Sequence, residues 1–227
     1  MMRWQTGIII HGIGDPARAP DPGEAPYWIS LAQFDILLDM IVAQSNPSDI
    51  RISFDDGNLS DHDIALPRLT TRGLRAEFFV LTGRIGQAGS LDINHILALQ
   101  DAGMAIGSHG VNHVDWRALD HAGLLAELRG SRQVLEGICG RPVAHAGIPF
   151  GAYNGRVLSA LHSEGFTRAY SSDRGRMTPE AFLCPRTSVH GGMGRAEFTD
   201  LLAGKLPIAQ HLRRAIGMTL RRLPLSG

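Results

Sequence analysis

The sequence predicts an α/β protein built on a mostly parallel sheet, and two observations carry that prediction. Short apolar segments alternate with helical patterns at the interval a β/α unit needs, from residues 6–10 to residues 183–190. The residues with chemistry in them, Asp55, Asp56, His109 and Pro149, all fall where one of those segments ends. In β/α barrels, sites are built at the C-terminal ends of strands.

Length and composition bound the answer. The 227 residues suit one domain, 1–227, and are ample for a core. Lys plus Arg and Asp plus Glu each number 22, so the formal charge is zero and no nucleic-acid or general anionic partner is implied. Cys139 and Cys184 have no paired spacing, which argues against a disulfide framework or a cysteine zinc site. Ile8-Ile9-Ile10 is too short for the apolar core of a signal peptide, and no apolar run reaches transmembrane length. The expected compartment is the cytoplasm.

Residues 6–10 read as the first strand, running into His11-Gly12-Ile13-Gly14. Residues 15–25, with four charged side chains and Pro16, Pro20 and Pro22, read as a surface loop. Ser30 with Gln33 matches a capping box, and the helix it opens, about 31–44, carries Phe34, Leu37, Leu38 and Ile41 on its apolar face. Ile50, Ile52 and Phe54 alternate with Arg51 and Ser53, the pattern of a strand with one buried face. Residues 61–69 read as a helix that Pro67 shortens or interrupts, 76–81 as a strand, and 92–102 as a helix stopped by Gly103. A short apolar run ends at Ser108; a helix over about 123–137 and an extended segment at 142–148 follow. A helix over 155–164 stops at Gly165, 167–171 and 183–190 read as the last strands, and 195–203 and 206–223 as helices. No internal repeat or linker interrupts the series.

The helix at 206–223 sets Leu212, Ile216, Leu220 and Leu223 at steps of four, four and three, flanked by Arg213, Arg214, Arg221 and Arg222. It reads either as a helix packed on the fold with its arginines in water, or as a basic amphipathic helix on an anionic membrane surface. The second reading gives a peripheral membrane contact suited to a lipid-linked sugar.

Asp55-Asp56-Gly57 ends the strand at 50–54, and Asp-Gly alone is a common turn dipeptide. At a strand end, successive side chains point in different directions, so one carboxylate can hold a cation while its neighbour faces what that cation activates. His109 and His113 stand at i, i+4, which on a helical turn puts two imidazoles about 5–6 Å apart at Cβ, as shared metal ligation requires. A lone histidine is more often a satisfied polar residue. A strand-end carboxylate joined to a strand-end His-x-x-x-His is a three-ligand set with a position left for water, the catalytic rather than the closed structural pattern. The histidines at 62, 95, 121, 145, 162 and 211 show no such pattern.

Three stretches, in this order and spacing, resemble the first three motifs of the polysaccharide deacetylase family, the NodB-homology domains of carbohydrate esterase family four. They are Ser53-Phe54-Asp55-Asp56-Gly57, Ser108-His109-Gly110-Val111-Asn112-His113 and Ile148-Pro149-Phe150-Gly151-Ala152-Tyr153-Asn154. The resemblance spans about residues 6–205 and implies a distorted (β/α) barrel of about seven strands. It implies that Asp55 is the catalytic base and that Asp56, His109 and His113 hold a divalent metal, zinc being the expected ion. It also implies a substrate groove lined by Pro149, Phe150, Gly151 and Tyr153, with His11 at the same mouth.

Three positions depart from the family pattern. Gly147 stands where the third motif usually opens with an Arg that orients the catalytic Asp. Ser171-Ser172-Asp173-Arg174 has the Asp of the fourth motif without its Trp, and Ser188-Val189-His190 keeps only the His of the fifth. Arg186 and His190 stand four residues apart on a late strand and so face one side of it. Arg186 is therefore expected to replace the missing Arg and His190 to act as general acid. Against this stand a surface ion pair for Arg186 and a strand cap for His190.

The function expected is a metal-dependent N-deacetylase acting on an N-acetylated amino sugar of a glycan or glycan precursor. A cation on Asp56, His109 and His113 would bring a water towards a neutral pKa, and Asp55 would take its proton during attack on the acetamide carbonyl. Backbone N–H groups near Phe150 would help hold the oxyanion, and His190 would protonate the leaving amine. Phe150 and Tyr153 read equally as sugar-stacking or as core aromatics, and His11 also reads as a polar strand-end residue. Two rivals stand beside this: a hydrolase of another amide or N-formyl group, and a carbohydrate-binding protein that kept the fold and lost turnover. Intact Asp55 argues against the second rival; Gly147 and the absent Trp argue for it. The sequence does not specify the sugar, its linkage or an oligomeric state.

Overall fold

Seven parallel strands pair in chain order and close on themselves. In the computed structural model, which describes residues 3–205, they are β1 (Gln5–Ile10), β2 (Ile50–Phe54), β3 (Ala76–Val80), β4 (Ala105–Ser108), β5 (His145–Gly147), β6 (Arg168–Ser171) and β7 (Leu183–Ser188). Parallel pairing of β1 with β7, through Gly7↔Arg186, Ile8↔Thr187 and Ile9↔Ser188, closes the barrel. The ring is uneven: β1 and β2 share five paired positions, whereas β4 meets β5 only at Ser108↔Ala146. That unevenness is the distortion expected of the barrel. A two-residue strand, Arg176–Met177, lies antiparallel on the start of β1, and Gly12–Ile13 pairs with Trp28–Ile29 outside the barrel. The expected helix at 206–223, and the membrane contact assigned to it, lie outside the described residues. Among the described residues no helix is long and apolar enough to cross a membrane.

The helices form where local chemistry starts and stops them. Helix α1 (Leu31–Val42) opens on the capping box: Ser30 Oγ accepts the Gln33 N–H at 3.2 Å and Gln33 Oε1 accepts the Ser30 N–H at 2.9 Å. Its four expected apolar residues, Phe34, Leu37, Leu38 and Ile41, are all fully buried. A π-helical turn, Asp61–Ala65, leads into α2 (Leu66–Thr71), with Pro67 in the first turn of α2, where its missing N–H costs nothing. The interruption expected at Pro67 therefore falls just before it. Helix α3 (Ile93–Asp101) is capped by Asp92, and α4 (His121–Cys139) runs two residues further at each end than its periodicity predicts. Asp120 caps the start of α4, and Gly140, in the left-handed region, stops it. Helices α5 (Gly155–Ser163) and α6 (Arg195–Leu202) complete the outer layer.

Between barrel and helices lies the main core, in which the Phe54 ring stacks on Phe78 at 4.6 Å and meets Phe34 edge-on at 6.1 Å. The barrel interior is filled differently. A few large side chains, Phe79, Tyr170, Met177 and Arg186, occupy it opposite glycines. A Cβ on Gly107 would come within 2.5 Å of the Phe79 ring, and one on Gly147 within 2.9 Å, so neither position has room for a side chain. Truncation at the outer core, Phe54→Ala, should cost about 3–5 kcal/mol, read as a lower urea midpoint at unchanged slope.

Candidate active site

The chain turns sharply where β2 ends. The Asp55 N–H still bonds to Ile10 O at 3.1 Å, but Asp56 and Gly57 both take left-handed backbone, at φ 76° and 69°. Four described non-glycine residues are left-handed, and three of them, Asp56, His113 and Phe150, line one cavity. Such backbone costs on the order of 1–3 kcal/mol per residue and persists where the surroundings impose it. The cavity has a volume of about 330 Å³ and lies at the C-terminal ends of the strands.

Asp56, His109 and His113 converge there. Asp56 Oδ1 lies 3.4 Å from His109 Nε2 and 3.5 Å from His113 Nε2. Two ligands about 2.0–2.1 Å from a tetrahedral zinc stand about 3.4 Å apart, so these edges match a shared cation. His109 Nδ1 lies 2.9 Å from Gly147 O, which places the ring proton on Nδ1 and leaves the Nε2 lone pair facing Asp56. Asp56 Oδ1 is buried with no hydrogen-bond partner in the protein. An orphaned carboxylate oxygen between two imidazole nitrogens fits a divalent metal. Burial alone would raise the Asp56 carboxyl; the His109 contact and the positive field of His11, His109 and His113 outweigh it and hold it well below the usual range.

A second group, His62, Asp63 and His95, lies near the surface with its two rings 4.4 Å apart. There His95 Nδ1 accepts the Asp92 N–H at 3.1 Å as part of the α3 cap. Its proton therefore sits on Nε2, and the ring has no lone pair to give. This group does not make a metal site.

Asp55 is gripped from β7, which lies on the other side of β1 from β2. Arg186 Nη1 donates to Asp55 Oδ1 at 2.7 Å and Nη2 to Oδ2 at 2.9 Å, the bidentate fork. Nη1 also donates to Ser53 Oγ at 2.8 Å, and the guanidinium lies over the Phe79 and Tyr170 rings at 4.9 and 5.4 Å. Arg186 is 1% exposed, so it makes no surface ion pair. Burial would raise Asp55, but Arg186 and then His109 win, and its carboxyl sits below the usual range. Gly147, where the family's Arg was expected, has a space already filled by Phe79 and by His109 Nδ1, 2.9 and 3.1 Å from a built Cβ.

Asp61 is a third carboxyl near the pair, fully buried, with neither oxygen hydrogen-bonded in the protein. Burial, and then the charges of Asp56 and Asp55, push it well above the usual range.

Other expected residues fall differently. His11, Phe150 and Gly151 line the cavity, and Phe150 is 62% exposed with its ring 4.4 Å from that of His113. Pro149 does not line it; buried, it forms the inner side of the turn Pro149–Gly151. Tyr153 is a core aromatic: fully buried beside Trp116 and Leu124, it donates its hydroxyl to Asp173 Oδ2 at 2.7 Å. His190 does not reach the cavity either. Strand β7 ends at Ser188, which lines the cavity in its place, and Val189 turns into the core. The His190 ring then packs beside Gly192, where its field acts on Glu197 at the start of α6. Near Phe150, the Gly151 and Ala152 N–H groups already bond to Ile148 and Pro149 carbonyls at 2.9 and 3.1 Å, so neither is free for an oxyanion.

Sequence reasoning missed the inner face of the loop at 15–25. Asp21, Pro22, Gly23 and Glu24 line the cavity with Tyr27 and Ser172. Glu24 is 8% exposed and accepts Arg18 Nη2 at 2.6 Å, the Asp21 N–H at 2.6 Å and Trp28 Nε1 at 3.0 Å. No local pattern in the sequence signals this order, because the loop is held by Asn58, Arg84 and His113, far along the chain.

A family profile described as polysaccharide deacetylase matches residues 43–169, more than half of the chain. The chain belongs to the polysaccharide deacetylase family. YxkH of Bacillus subtilis (strain 168), which carries a polysaccharide deacetylase name, is 23% identical over 163 residues, 70% of this chain and 58% of its own. A chitin deacetylase of Pestalotiopsis sp is 31% identical over 129 residues, 56% of this chain and 42% of its own. The chain thus spans about half the length of these polysaccharide deacetylase relatives. The solved structure of the Streptococcus pyogenes deacetylase PplD in complex with acetate superposes with a TM-score of 0.76 at 18% identity, covering 91% of this chain and all of that one. At that identity the likeness is one of fold.

Two expectations follow from this geometry. Purified protein should hold about one metal equivalent, lost in His109→Ala and in His113→Ala but kept in His62→Ala and in His95→Ala, by elemental analysis. Asp61 has a folded pKa above its unfolded one, so its contribution is favourable below the unfolded value and is lost as pH rises through the folded one. Metal-free Asp61→Asn should therefore gain stability over the wild type towards neutral and alkaline pH and not in acid, in urea unfolding across pH.

Proposed function

We propose that the protein is a metal-dependent N-deacetylase acting on an N-acetylated amino sugar of a glycan or glycan precursor. The observation that carries this reading is the Asp56–His109–His113 triangle beside an Asp55 held on both oxygens by Arg186. The named activity of the chitin deacetylase relative supports the same chemistry. Two imidazoles and a carboxylate with tetrahedral edges favour zinc. Bound there, the ion supplies Lewis acidity and acidifies a water.

The chain's own residues do the rest. Asp55 stays ionised because Arg186 stabilises its charge, and its lone pairs not engaged by the fork can accept the attacking water's proton. Arg186 fixes the carboxylate plane and is held in turn by Ser53 Oγ and the rings of Phe79 and Tyr170. His11 is the cavity imidazole outside the metal set; its buried Nδ1 has no partner in the protein, and it takes the acid role first expected of His190, giving a proton to the departing amine nitrogen. The exposed Phe150 ring offers a face to the sugar, with Ser172 and Ser188 hydroxyls at the same wall.

Asp55→Asn should abolish acetate release from an N-acetylated chito-oligosaccharide while keeping the metal. His11→Ala should lower kcat by about 10²-fold or more with loss of the alkaline limb of the rate profile, and His190→Ala should stay within a few-fold of wild type. Arg186→Lys should lower kcat at unchanged metal content and shift the acid limb to higher pH, because losing the fork lets the Asp55 pKa rise. A fully active, metal-free wild type would overturn the reading.

A further inference from the structure

The segment after β1 forms a wall around most of the barrel mouth. At the β7 side, the Gly191 N–H donates to Pro26 O at 2.9 Å, and Gln33 Nε2 donates to Gly191 O and Met193 O, each at 2.8 Å. Over β2, Arg18 Nε donates to Asn58 Oδ1 at 3.0 Å. Past β3, the Ala17 backbone lies against Gly89, 2.8 Å from where a Cβ would stand, and Asp21 pairs with Arg84. At β4, Asp21 Oδ2 comes within 3.6 Å of His113 Nδ1. One continuous piece of chain is thus fastened at the β2, β3 and β4 sides through residues 17–21 and at the β7 side through Pro26 and Gln33. Glu24 locks its middle by accepting from Arg18, Asp21 and Trp28, and the inner residues Asp21 to Glu24 face the catalytic group.

The remaining sector lies over β5 and β6, bordered by Phe150, Gly151 and Ser172. An interior unit of a polymer needs a groove that runs out on two sides of the reacting group. Among the described residues, a mouth walled from β7 round to β4 leaves the chain one way out. The cavity, at about 330 Å³, is also at the small end of the roughly 300–1,000 Å³ that ligand pockets span.

We infer that the site takes only the end of a glycan: a single or chain-terminal N-acyl amino sugar, entering from the β5–β6 side past Phe150. This rests on the deacetylase reading. The wall sets which unit can reach Asp55; the catalytic group itself would serve interior and terminal units alike.

The test uses zinc-loaded protein with fully N-acetylated chito-tetraose and chito-pentaose, isotopically labelled at the reducing end, and reads the position of each free amine by mass-spectrometric sequencing. The expected product carries one free amine, at the same terminal unit in both oligomers. Arg18→Ala, and more strongly Glu24→Gln, should let interior units react, with folding of each variant checked by circular dichroism. Interior deacetylation by the wild type would overturn the inference and leave the deacetylase reading standing. Absence of acetate release from any oligomer would overturn that reading and the inference with it. Zinc-loaded Asp55→Asn gives a readout independent of turnover: its affinity should level off after about two or three sugar units. A further gain of about tenfold from trimer to pentamer would reveal a groove that runs through, and would overturn the inference.

Discussion

A guanidinium buried on the axis of a narrow barrel is the constraint on which the rest of this structure depends. Removing Arg186 from water is costly, and the cost is offset only because both oxygens of Asp55 meet its fork and Ser53 Oγ takes a further N–H. The demand runs both ways. Asp55 is equally buried and keeps its charge because Arg186 is there. The pair then dictates its neighbours: Phe79 and Tyr170 give the guanidinium aromatic faces, and Gly7 leaves it room, since a Cβ there would come within 2.8 Å of Arg186 Cγ.

That packing explains how an orienting arginine can move from one strand to another. With the Phe79 ring of β3 and His109 Nδ1 against it, position 147 has no room for a side chain, and its carbonyl takes a different duty, holding His109 Nδ1. The arginine comes instead from β7, where Gly7 on the paired β1 faces it. What is kept is a positive fork on the Asp55 carboxylate, and the chain position that supplies it is free to change. Residue-by-residue comparison of motifs registers a loss at Gly147; the geometry of the barrel shows Asp55 held on both oxygens by Arg186.

The sequence made the convergence of Asp55, Asp56, His109 and His113 legible and the placing of His190 not, for a physical reason. Asp55, Asp56, His109 and His113 sit in short local patterns at two strand ends, which the pairing of β2 with β3 and of β3 with β4 brings side by side. The helical turn expected for His109 and His113 is absent, and a non-helical loop with left-handed His113 sets the two imidazoles instead. The fold class was legible for the same reason, since strand and helix periods are local, and the capping box at Ser30 fixed the start of α1 to the residue. His190 was misplaced because its position depends on where a strand stops, and Tyr153 because the turn Pro149–Gly151 carries the chain back into the core before it. Two residues of error at the end of β7 turn an inward side chain towards α6. The loop at 15–25 was opaque because its order comes from partners far along the chain, Asn58, Arg84, Gly89 and His113, which no local pattern can announce.

The distribution of charge completes the logic of the site. Asp55 is balanced by Arg186, whereas Asp56 faces the Nε2 atoms of His109 and His113 across the space a cation would fill, so the two carboxylates can act separately. A third charged carboxylate in the same buried volume would break that division, since it would compete for the field that holds the first two. Asp61, buried without a partner and repelled by both, is driven to the neutral form. The same rule applies at the wall, where Asp21 approaches His113 only with Arg84 paired to it, so the added negative charge is balanced before it reaches the His113 side of the cavity. In this barrel each of these acids has its own surroundings: a guanidinium fork for Asp55, two imidazole nitrogens spaced for a cation for Asp56, a proton for Asp61, and an arginine at the rim for Asp21.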